Sequence, residues 1–295
     1  MLIRYLYYSY FILLSFSYSF EESFNTEIGQ CHLKIENSKY DLGLKRKIKL
    51  SAEILTKNFG PVSKNIYYIN IINNKKEVKR FPDWASGIAI RNKVFILRNK
   101  LSDVIVNHEL CHIYQHKIKN SNTLPSWFKE GMAMHFSKDF FNQEAITLSE
   151  SILLDYVIEL DQLHNISKLK DIKNIKVAYQ ESLYAYQKII SDYSSTAIKK
   201  IFLQMNNNIP FDKAFKNILG IELNNFELQI DEKIKESTFT SILFNLPSIL
   251  IFISSIIITI IFIYIRVRNK RTIKRWEIEE KLELLDEDNN SNDNN

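Results

Sequence analysis

The first third of the chain carries short apolar segments whose pattern is typical of β-strands. Strands are predicted at His32 to Ile35 and at Ile66 to Ile72, which are rich in Ile, Leu and Tyr. The segment Gly87 to Leu97 predicts two short strand pieces around a polar turn at Asn92-Lys93. The residues from Glu21 to the first of these strands are predicted to form a polar lead-in.

Apolar residues three or four positions apart predict helices, which take up most of the chain after Leu101. Gly60-Pro61 follows one predicted helix as a stop signal, and Gly220 ends another in the usual C-cap place. Short strands followed by a helical C-terminal half predict the α+β class. The predicted helices are Leu44 to Phe59, Leu101 to Lys119, Phe140 to His164, Val177 to Tyr193, Ser195 to Met205, Pro210 to Leu219 and Leu223 to Lys235.

Residues 1–19 have the layout of a secretory signal peptide. Arg4 precedes an aromatic and aliphatic run from Tyr5 to Phe16, which is short for a membrane span. Tyr18 and Phe20 disturb the small-residue rule for cleavage, so an uncleaved anchor is the alternative interpretation.

A second apolar segment lies near the C-terminus. Phe244 to Ile265 contains no charged residue, and a helix of that length spans about 33 Å, so residues 242–265 are predicted to form a transmembrane helix. The basic residues that follow at once are Arg266, Arg268, Lys270, Arg271, Lys274 and Arg275. The positive-inside rule therefore predicts a cytoplasmic tail, 266–295, which is basic and then acidic from Glu277. It also predicts a single-pass protein of the cell (inner) membrane with residues 20–240 extracytoplasmic.

Composition excludes one class of partner. The net charge is only +5, from 39 basic and 34 acidic residues, so no nucleic-acid partner is expected. Because one of the two cysteines, Cys111, lies inside a predicted helix, small buried thiols are expected at Cys31 and Cys111 rather than a disulfide.

The candidate chemistry lies in the predicted helix Leu101 to Lys119, which contains His108-Glu109-Leu110-Cys111-His112. Helical residues four apart share a face, so both imidazoles can reach one point while Glu109 sits one step round the helix. Zinc accepts neutral imidazole nitrogens, and a hydrolytic zinc site keeps three protein ligands so that the fourth position holds water. The chain has only six histidines, which makes this spacing uncommon by chance. His108 and His112 are therefore predicted to bind a metal ion.

The third ligand must come from another element. In one arrangement it is a histidine six residues past the second, preceded by a glycine, but Ile118 and Gln115 occupy those positions here. Leu124 to Trp127 predicts a helix start, and Glu130 falls one turn into that helix. Glu130 is the predicted third ligand. His135 is the alternative, although its offset from Glu130 turns it to another face.

These two segments, His108 to His112 and Leu124 to Ala133, resemble the gluzincin metallopeptidases. The resemblance is strongest to the small peptidase MA-like (minigluzincin) group, whose pattern is HExxH, a short loop, a Pro-Trp and a Glu-Gly-small pair. Outside the motifs it extends from about Leu44 to Glu236 by element order. It implies a zincin-like metallopeptidase domain, which has a small mixed sheet, an active-site helix and a helical C-terminal half, with Zn²⁺ as cofactor. The residue roles that it implies are zinc ligation by His108, His112 and Glu130, and general base catalysis by Glu109.

Two further roles follow from the resemblance and from the chemistry. In that family a strand in the place of Gly87 to Leu97 forms the sheet edge above the zinc and pairs with an extended substrate; an ordinary core strand is the alternative. An oxyanion donor is also needed, and Tyr179, Tyr184 and Tyr186 lie together in the helical half. The chain has 15 tyrosines, so ordinary packing is the alternative for each of them.

Together with the predicted transmembrane helix, the resemblance implies a membrane-anchored zinc metallopeptidase that hydrolyses a peptide or protein substrate with metal-activated water. An endopeptidase is expected rather than an exopeptidase. Two alternatives stay open: a non-catalytic zincin-like binding module displayed on the membrane, and a structural or assembly protein of the envelope whose His-Glu pattern is accidental. The expected organisation is a signal peptide at 1–19, a peptidase MA-like domain at 20–240, a transmembrane helix at 242–265 and a tail at 266–295. Substrate identity and oligomeric state do not follow from the sequence.

Overall fold

The computed structural model describes residues 19–36, 42–79, 81–138, 158–163 and 171–292. The chain divides into two compact units, Met1–Thr238 and Phe239–Asn295. The first unit contains the sheet and the shorter helices. The predicted signal peptide, apart from Ser19, and most of the predicted helix Phe140 to His164 lie outside the described residues.

Within the described residues, five strands form one small mixed sheet in the order β1-β2-β3-β5-β4. The strands β1 and β2 pair antiparallel, as do β4 and β5, whereas β3 runs parallel to both β2 and β5. A mixed sheet with a mostly helical remainder confirms the predicted α+β class. The strand bounds are β1 Ser19–Thr26, β2 Gly29–Glu36, β3 Tyr67–Ile72, β4 Gly87–Ile90 and β5 Lys93–Leu97.

The strand β1 was not expected, because the prediction of a polar lead-in after Glu21 is wrong. It lies at the edge of the sheet, and Phe24 is its one buried residue. Its sequence therefore does not need, and does not show, the alternation of apolar and polar residues that is typical of a half-buried strand. A short turn joins it to β2, and the Thr26 hydroxyl donates to the Gly29 carbonyl at 2.7 Å across that turn. Pairing with β2 therefore keeps this segment in a strand, although its own sequence pattern is typical of a loop.

The helices follow the predicted order, and most of their ends shift by only a few residues. The two exceptions are the helix predicted to start at Val177, which begins at Ile172, and the helix predicted to end at Lys235, which continues to Asn292. The helix α2 begins at Asp103 rather than Leu101, because the Ser102 hydroxyl caps it by accepting from the Ile105 amide at 3.3 Å. Pro125 occupies the N-cap position of α3. The helix bounds are α1 Leu42–Phe59, α2 Asp103–His116, α3 Ser126–Ser137, α4 Ile172–Tyr193, α5 Ser195–Asn206, α6 Phe211–Leu219 and α7 Leu223–Asn292, with 3₁₀ turns at Lys75–Glu77, Arg98–Lys100 and Ser121–Thr123.

One face of the sheet packs against α1 and α2. Leu33, Ile69 and Ile96 from the sheet and Ile48 and Leu110 from the two helices are all buried in the same core. Burial of each such side chain contributes about 1.5–3 kcal/mol. This packing fixes α2 against the sheet and leaves another face of the helix for polar groups.

A second part of the core is aromatic and joins α3 to the helices that follow it. The Phe128 ring lies 4.8 Å from the Phe211 ring and 5.4 Å from the Tyr186 ring, measured between centroids. Gly131 allows α3 to approach α4 closely, because a Cβ atom at this position would overlap the backbone carbonyl of Ser182. One face of α3 thus packs against α4, and its other face points towards α2.

The C-terminal unit contains one segment that is long and apolar enough to cross a membrane, judged by length and composition within the described residues. It is Leu250–Trp276, a stretch of 27 helical residues with no buried positions. From Leu250 onward it overlaps the predicted span at 242–265.

Candidate metal centre

The helices α2 and α3 bring three polar side chains to one point. The Nε2 atoms of His108 and His112 are 3.2 Å apart. Oε2 of Glu130 lies 3.5 Å from Nε2 of His108 and 3.4 Å from Nε2 of His112. Among the described His, Cys, Asp and Glu side chains, these three form the one group whose ligand atoms all lie within 4.8 Å of one another.

The spacing of these atoms fits a zinc ion. Tetrahedral zinc with ligands at about 2.1 Å separates those ligands by about 3.4 Å, and two imidazole nitrogens with one carboxylate oxygen are a usual donor set for it. Oε2 of Glu130 is buried and has no hydrogen-bond donor within the described residues. A buried carboxylate oxygen in this state needs a cation or a proton. The residues present therefore suit a three-coordinate protein site with one position left for water.

The electrostatics of the group keep the carboxylate ionised. Burial would raise the pKa of Glu130, but the imidazoles of His112 and His108 outweigh it and hold that pKa well below its usual range. Burial lowers the pKa of His112, whereas the Glu130 carboxylate raises it, and the net direction is upward. A positive charge is thus favoured at the point where the three side chains meet.

Gln115 orients one of the two histidines, and sequence reasoning did not identify it. Its side chain is 2% exposed. Its Nε2 atom donates to the Lys129 carbonyl at 2.9 Å, so its Oε1 atom faces Nδ1 of His112, 3.0 Å away. Nδ1 must then carry the proton, which leaves the Nε2 lone pair of His112 directed at the cluster. The available signal was spacing, because Gln115 lies three residues after His112 on the same face.

Glu109 lies beside the cluster and is 6% exposed. Burial raises its pKa, and the neighbouring His108 and His112 act in the opposite direction. Its Oε2 atom has no hydrogen-bond partner within the part of the chain that the structure describes. Gly87 leaves room for this carboxyl group, because a Cβ there would lie 2.8 Å from Oε1 of Glu109. A glycine inside a predicted strand is a sequence signal for such close approach.

The cluster opens into a cleft of about 1280 Å³ whose walls include β4, α2, α3 and α4. Of the three candidate tyrosines, Tyr179 lines the cleft; its ring centroid is 6.4 Å from that of His108. Tyr186 is buried against Phe128 in the aromatic core, and Tyr184 packs against the same core. Only Tyr179 therefore has access to a molecule in the cleft.

The alternative ligand, His135, lies elsewhere. Its ring centroid is 5.5 Å from that of Tyr186, and it is not part of the group of three. The offset along α3 turns it away from Glu130, as the helical spacing predicts.

The strand β4 is the last in the sheet order, next to β5 alone. Gly87, Ile88 and Ala89 line the cleft, so the outer edge of this strand runs past the cluster. An edge strand presents backbone groups that can pair with an extended peptide. Of the two strands in the segment Gly87 to Leu97, β4 therefore lies at the edge of the sheet, as expected, whereas β5 lies between β3 and β4.

The fold is thus a mixed α+β domain with two histidines and a glutamate at the base of a cleft. No protein-family model matches the chain, and no curated protein sequence matches it.

Solved structures resemble it at low identity. The M1 zinc metallopeptidase from Deinococcus radiodurans is 12% identical, with 74% of this chain and 51% of that chain covered and a TM-score of 0.46. The aminopeptidase N family protein from Idiomarina loihiensis is 14% identical, with 70% and 46% covered and a TM-score of 0.44. The chain spans about half the length of these proteins.

Proposed function

We propose that this chain is a zinc metallopeptidase of the gluzincin type, similar to the peptidase MA-like (minigluzincin) group. The observation that carries the proposal is the convergence of His108, His112 and Glu130, whose three ligand atoms are 3.2 to 3.5 Å apart. This spacing and donor set suit zinc. The neighbouring buried carboxyl group of Glu109 supplies the base that hydrolysis requires.

Each residue of the cleft has a distinct role in this proposal. Zinc, when bound, supplies a Lewis acid and lowers the pKa of water in the open position. Glu109 accepts the proton of the attacking water and passes it to the leaving amine. The edge of β4 pairs with the substrate backbone and holds the scissile bond over the cluster. Tyr179, which lines the cleft, donates a hydrogen bond to the carbonyl oxygen as it gains negative charge.

We propose an endopeptidase. Recognition of a free amino terminus calls for a carboxylate beyond those used in catalysis, since an ammonium group needs an anionic partner. Among the described residues that line the cleft, Glu109 and Glu130 are the acidic side chains, and both already have roles. A peptide can instead extend along β4 in both directions.

We further propose that the chain is anchored in the cell (inner) membrane by residues 242–265. Support comes from the length, apolar composition and exposure of Leu250–Trp276 and from the six basic residues that begin at Arg266. The proposed orientation places residues 20–240 outside the cytoplasm and 266–295 inside, with residues 1–19 as the export signal. Protease digestion of spheroplasts, whose inner membrane is intact, and of lysed spheroplasts tests this orientation: the catalytic part should be cleaved in both and the tail only after lysis.

The experiment for the activity uses the full-length chain purified in detergent and an unfolded, fluorescently labelled casein. Cleavage should stop when a chelator removes the metal and return when zinc is added back. A zinc-loaded, folded chain that leaves casein and a random peptide mixture intact would contradict a peptidase and favour a non-catalytic binding module.

A further inference from the structure

The cleft carries positive charge beyond its candidate catalytic groups. The basic side chains that line it are Arg91, Lys100, Lys129 and Lys176. None of these four forms an ion pair with another described residue. The acidic side chains of the described lining are Glu109 and Glu130, whose charges a bound divalent cation would offset. Within the described lining, four positive charges then have no compensating acidic side chain.

Two of the four lie next to the groups that would carry out hydrolysis. Lys129 directly precedes Glu130 on α3. Lys176 lies one helical turn before Tyr179 on α4, and residues three apart on a helix are neighbours on its surface. Both lysines are partly buried, so their charges act where there is less water to screen them than on an open surface.

The other two are placed farther along the cleft. Arg91 directly follows β4, and in extended chain it lies about 13 Å beyond Gly87. Lys100 ends the 3₁₀ turn Arg98–Lys100 that precedes α2. A peptide paired with β4 would therefore meet positive charge near the scissile bond and again towards Arg91. Clefts lined by one sign of charge focus the potential and concentrate ligands of the opposite sign.

We propose that the cleft selects peptides that carry carboxylate groups close to the scissile bond, so that the substrates are acidic protein segments. The inference rests on the proposed peptidase function. A substrate lysine or arginine in the same place would meet like charges, which adds discrimination against basic peptides. The carboxylate can belong to an Asp or Glu side chain or to the C-terminus of a peptide, and the experiment separates these two sources.

The test uses quenched fluorescent peptides with an amidated C-terminus that differ at one position next to the cleaved bond, which holds Glu, Ala or Lys. For the full-length chain in detergent at low salt, kcat/KM should be about tenfold higher for the Glu peptide than for the Lys peptide. The ratio should fall as salt is added. The Ala peptide with a free C-terminus shows whether a terminal carboxylate is enough for selection.

A matched pair of charge reversals locates the effect. Lys176→Glu should reduce the Glu preference several-fold, because it reverses one charge inside the cleft. Lys200→Glu makes the same change at an exposed site on α5 and should leave the preference as in wild type. Zinc content and the thermal midpoint of both variants show that each is folded and loaded. Equal cleavage of the Glu, Ala and Lys peptides, or equal effects of the two reversals, would overturn the inference.

A binding measurement separates this inference from the proposed activity. The zinc-loaded Glu109→Gln variant should bind the fluorescent Glu peptide more tightly than the Lys peptide, by anisotropy, without any cleavage. If this preference holds while the wild-type chain cleaves no peptide, the acidic selectivity stands and the peptidase function fails. If the wild-type chain cleaves peptides but neither assay shows a preference, the peptidase function stands and the acidic selectivity fails.

Discussion

Glu130 and Glu181 are glutamates with little solvent exposure, on the neighbouring helices α3 and α4, and their carboxyl groups behave oppositely. Glu130 faces two imidazoles, and its pKa lies well below the usual range despite burial. Glu181 accepts a hydrogen bond from the Ile158 amide at 3.2 Å, and burial raises its pKa to about 8. Asp231, which accepts from the Leu160 amide at 3.3 Å, shows the same upward direction, again because of burial.

The difference shows what distinguishes a cation site from a structural carboxyl group. Burial disfavours the charged form in both regions. A single backbone amide does not offset that cost at either Glu181 or Asp231, so these groups tend towards the neutral acid and anchor the segment 158–163. Two imidazoles converging on Glu130 do offset it. The ionised state of its buried carboxylate therefore distinguishes the proposed metal centre from the structural carboxyl groups.

The largest expected effect is on catalysis by Glu109. Glu109→Gln keeps the size of the side chain but removes the base, so the rate of peptide cleavage should fall about 10²- to 10⁴-fold. Zinc binding and thermal stability should stay close to those of wild type, since Glu109 is not one of the three ligands. Kinetics on the casein substrate together with metal analysis checks both halves. Cleavage at the wild-type rate would falsify the proposed mechanism.

Displacement of the same carboxyl group should have a smaller effect. In Gly87→Ala the new Cβ would lie 2.8 Å from Oε1 and 2.9 Å from Cγ of Glu109, so the carboxyl group must move. We expect kcat/KM to fall about 10- to 100-fold, because a misplacement of about 1 Å in a catalytic group has effects of this size. Zinc affinity, measured by competition with a chromogenic chelator, should not change. A loss of zinc equal to the loss of activity would show that Gly87 serves the fold instead.

Removal of the amide that orients His112 should weaken the metal site while leaving its ligands in place. Gln115→Leu is expected to lower zinc affinity about 10- to 100-fold. Tyr114→Phe is the matched control, because it removes a buried hydrogen bond of 2.7 Å to the Gly60 carbonyl from the same helix but does not touch the cluster. Its zinc affinity should equal that of wild type even if its thermal midpoint falls. The same zinc affinity in both variants would refute a positioning role for Gln115.

The substitution that should change the metal centre least is at Glu181, where the expected effect is on stability and its pH dependence. Its pKa rises from 4.5 to about 8 on folding, so between these values the folded chain holds a proton that the unfolded chain has lost. Stability from this group is present at low pH and is lost as the pH rises, by at most about 1.4 kcal/mol per pH unit. Glu181→Gln mimics the neutral acid and keeps the acceptor for the Ile158 amide.

Thermal unfolding of wild type and Glu181→Gln in parallel checks this sign. The two should be equally stable near pH 5, and the variant should be the more stable near pH 8. A wild-type advantage at the higher pH would mean that Glu181 is ionised in the folded chain and has a cationic partner.

Helical spacing was enough to place the candidate site, because residues four apart must share a face. It correctly brought His108 and His112 together and turned His135 away from Glu130. The α+β class followed from the order of apolar segments. The strand β1 could not be recognised, since its pairing with β2 is decided by a partner strand and not by its own pattern.

Other features of the site depend on contacts between distant segments. Gln115 on α2 donates a hydrogen bond to the Lys129 carbonyl on α3. Gly87 on β4 lies against the Glu109 side chain on α2. Spacing within one element gives no information on either contact. Similarly, only the packing of α4 distinguishes Tyr179 in the cleft from Tyr186 in the core.

The most direct test of the central claim is the zinc content of the purified full-length chain, measured by mass spectrometry. Wild type and Glu181→Gln should each hold one zinc ion per chain, and Glu130→Gln, the same substitution at the other buried glutamate, should hold little or none. A wild-type chain without zinc, or equal zinc in the two variants, would contradict the assignment of His108, His112 and Glu130 as its ligands.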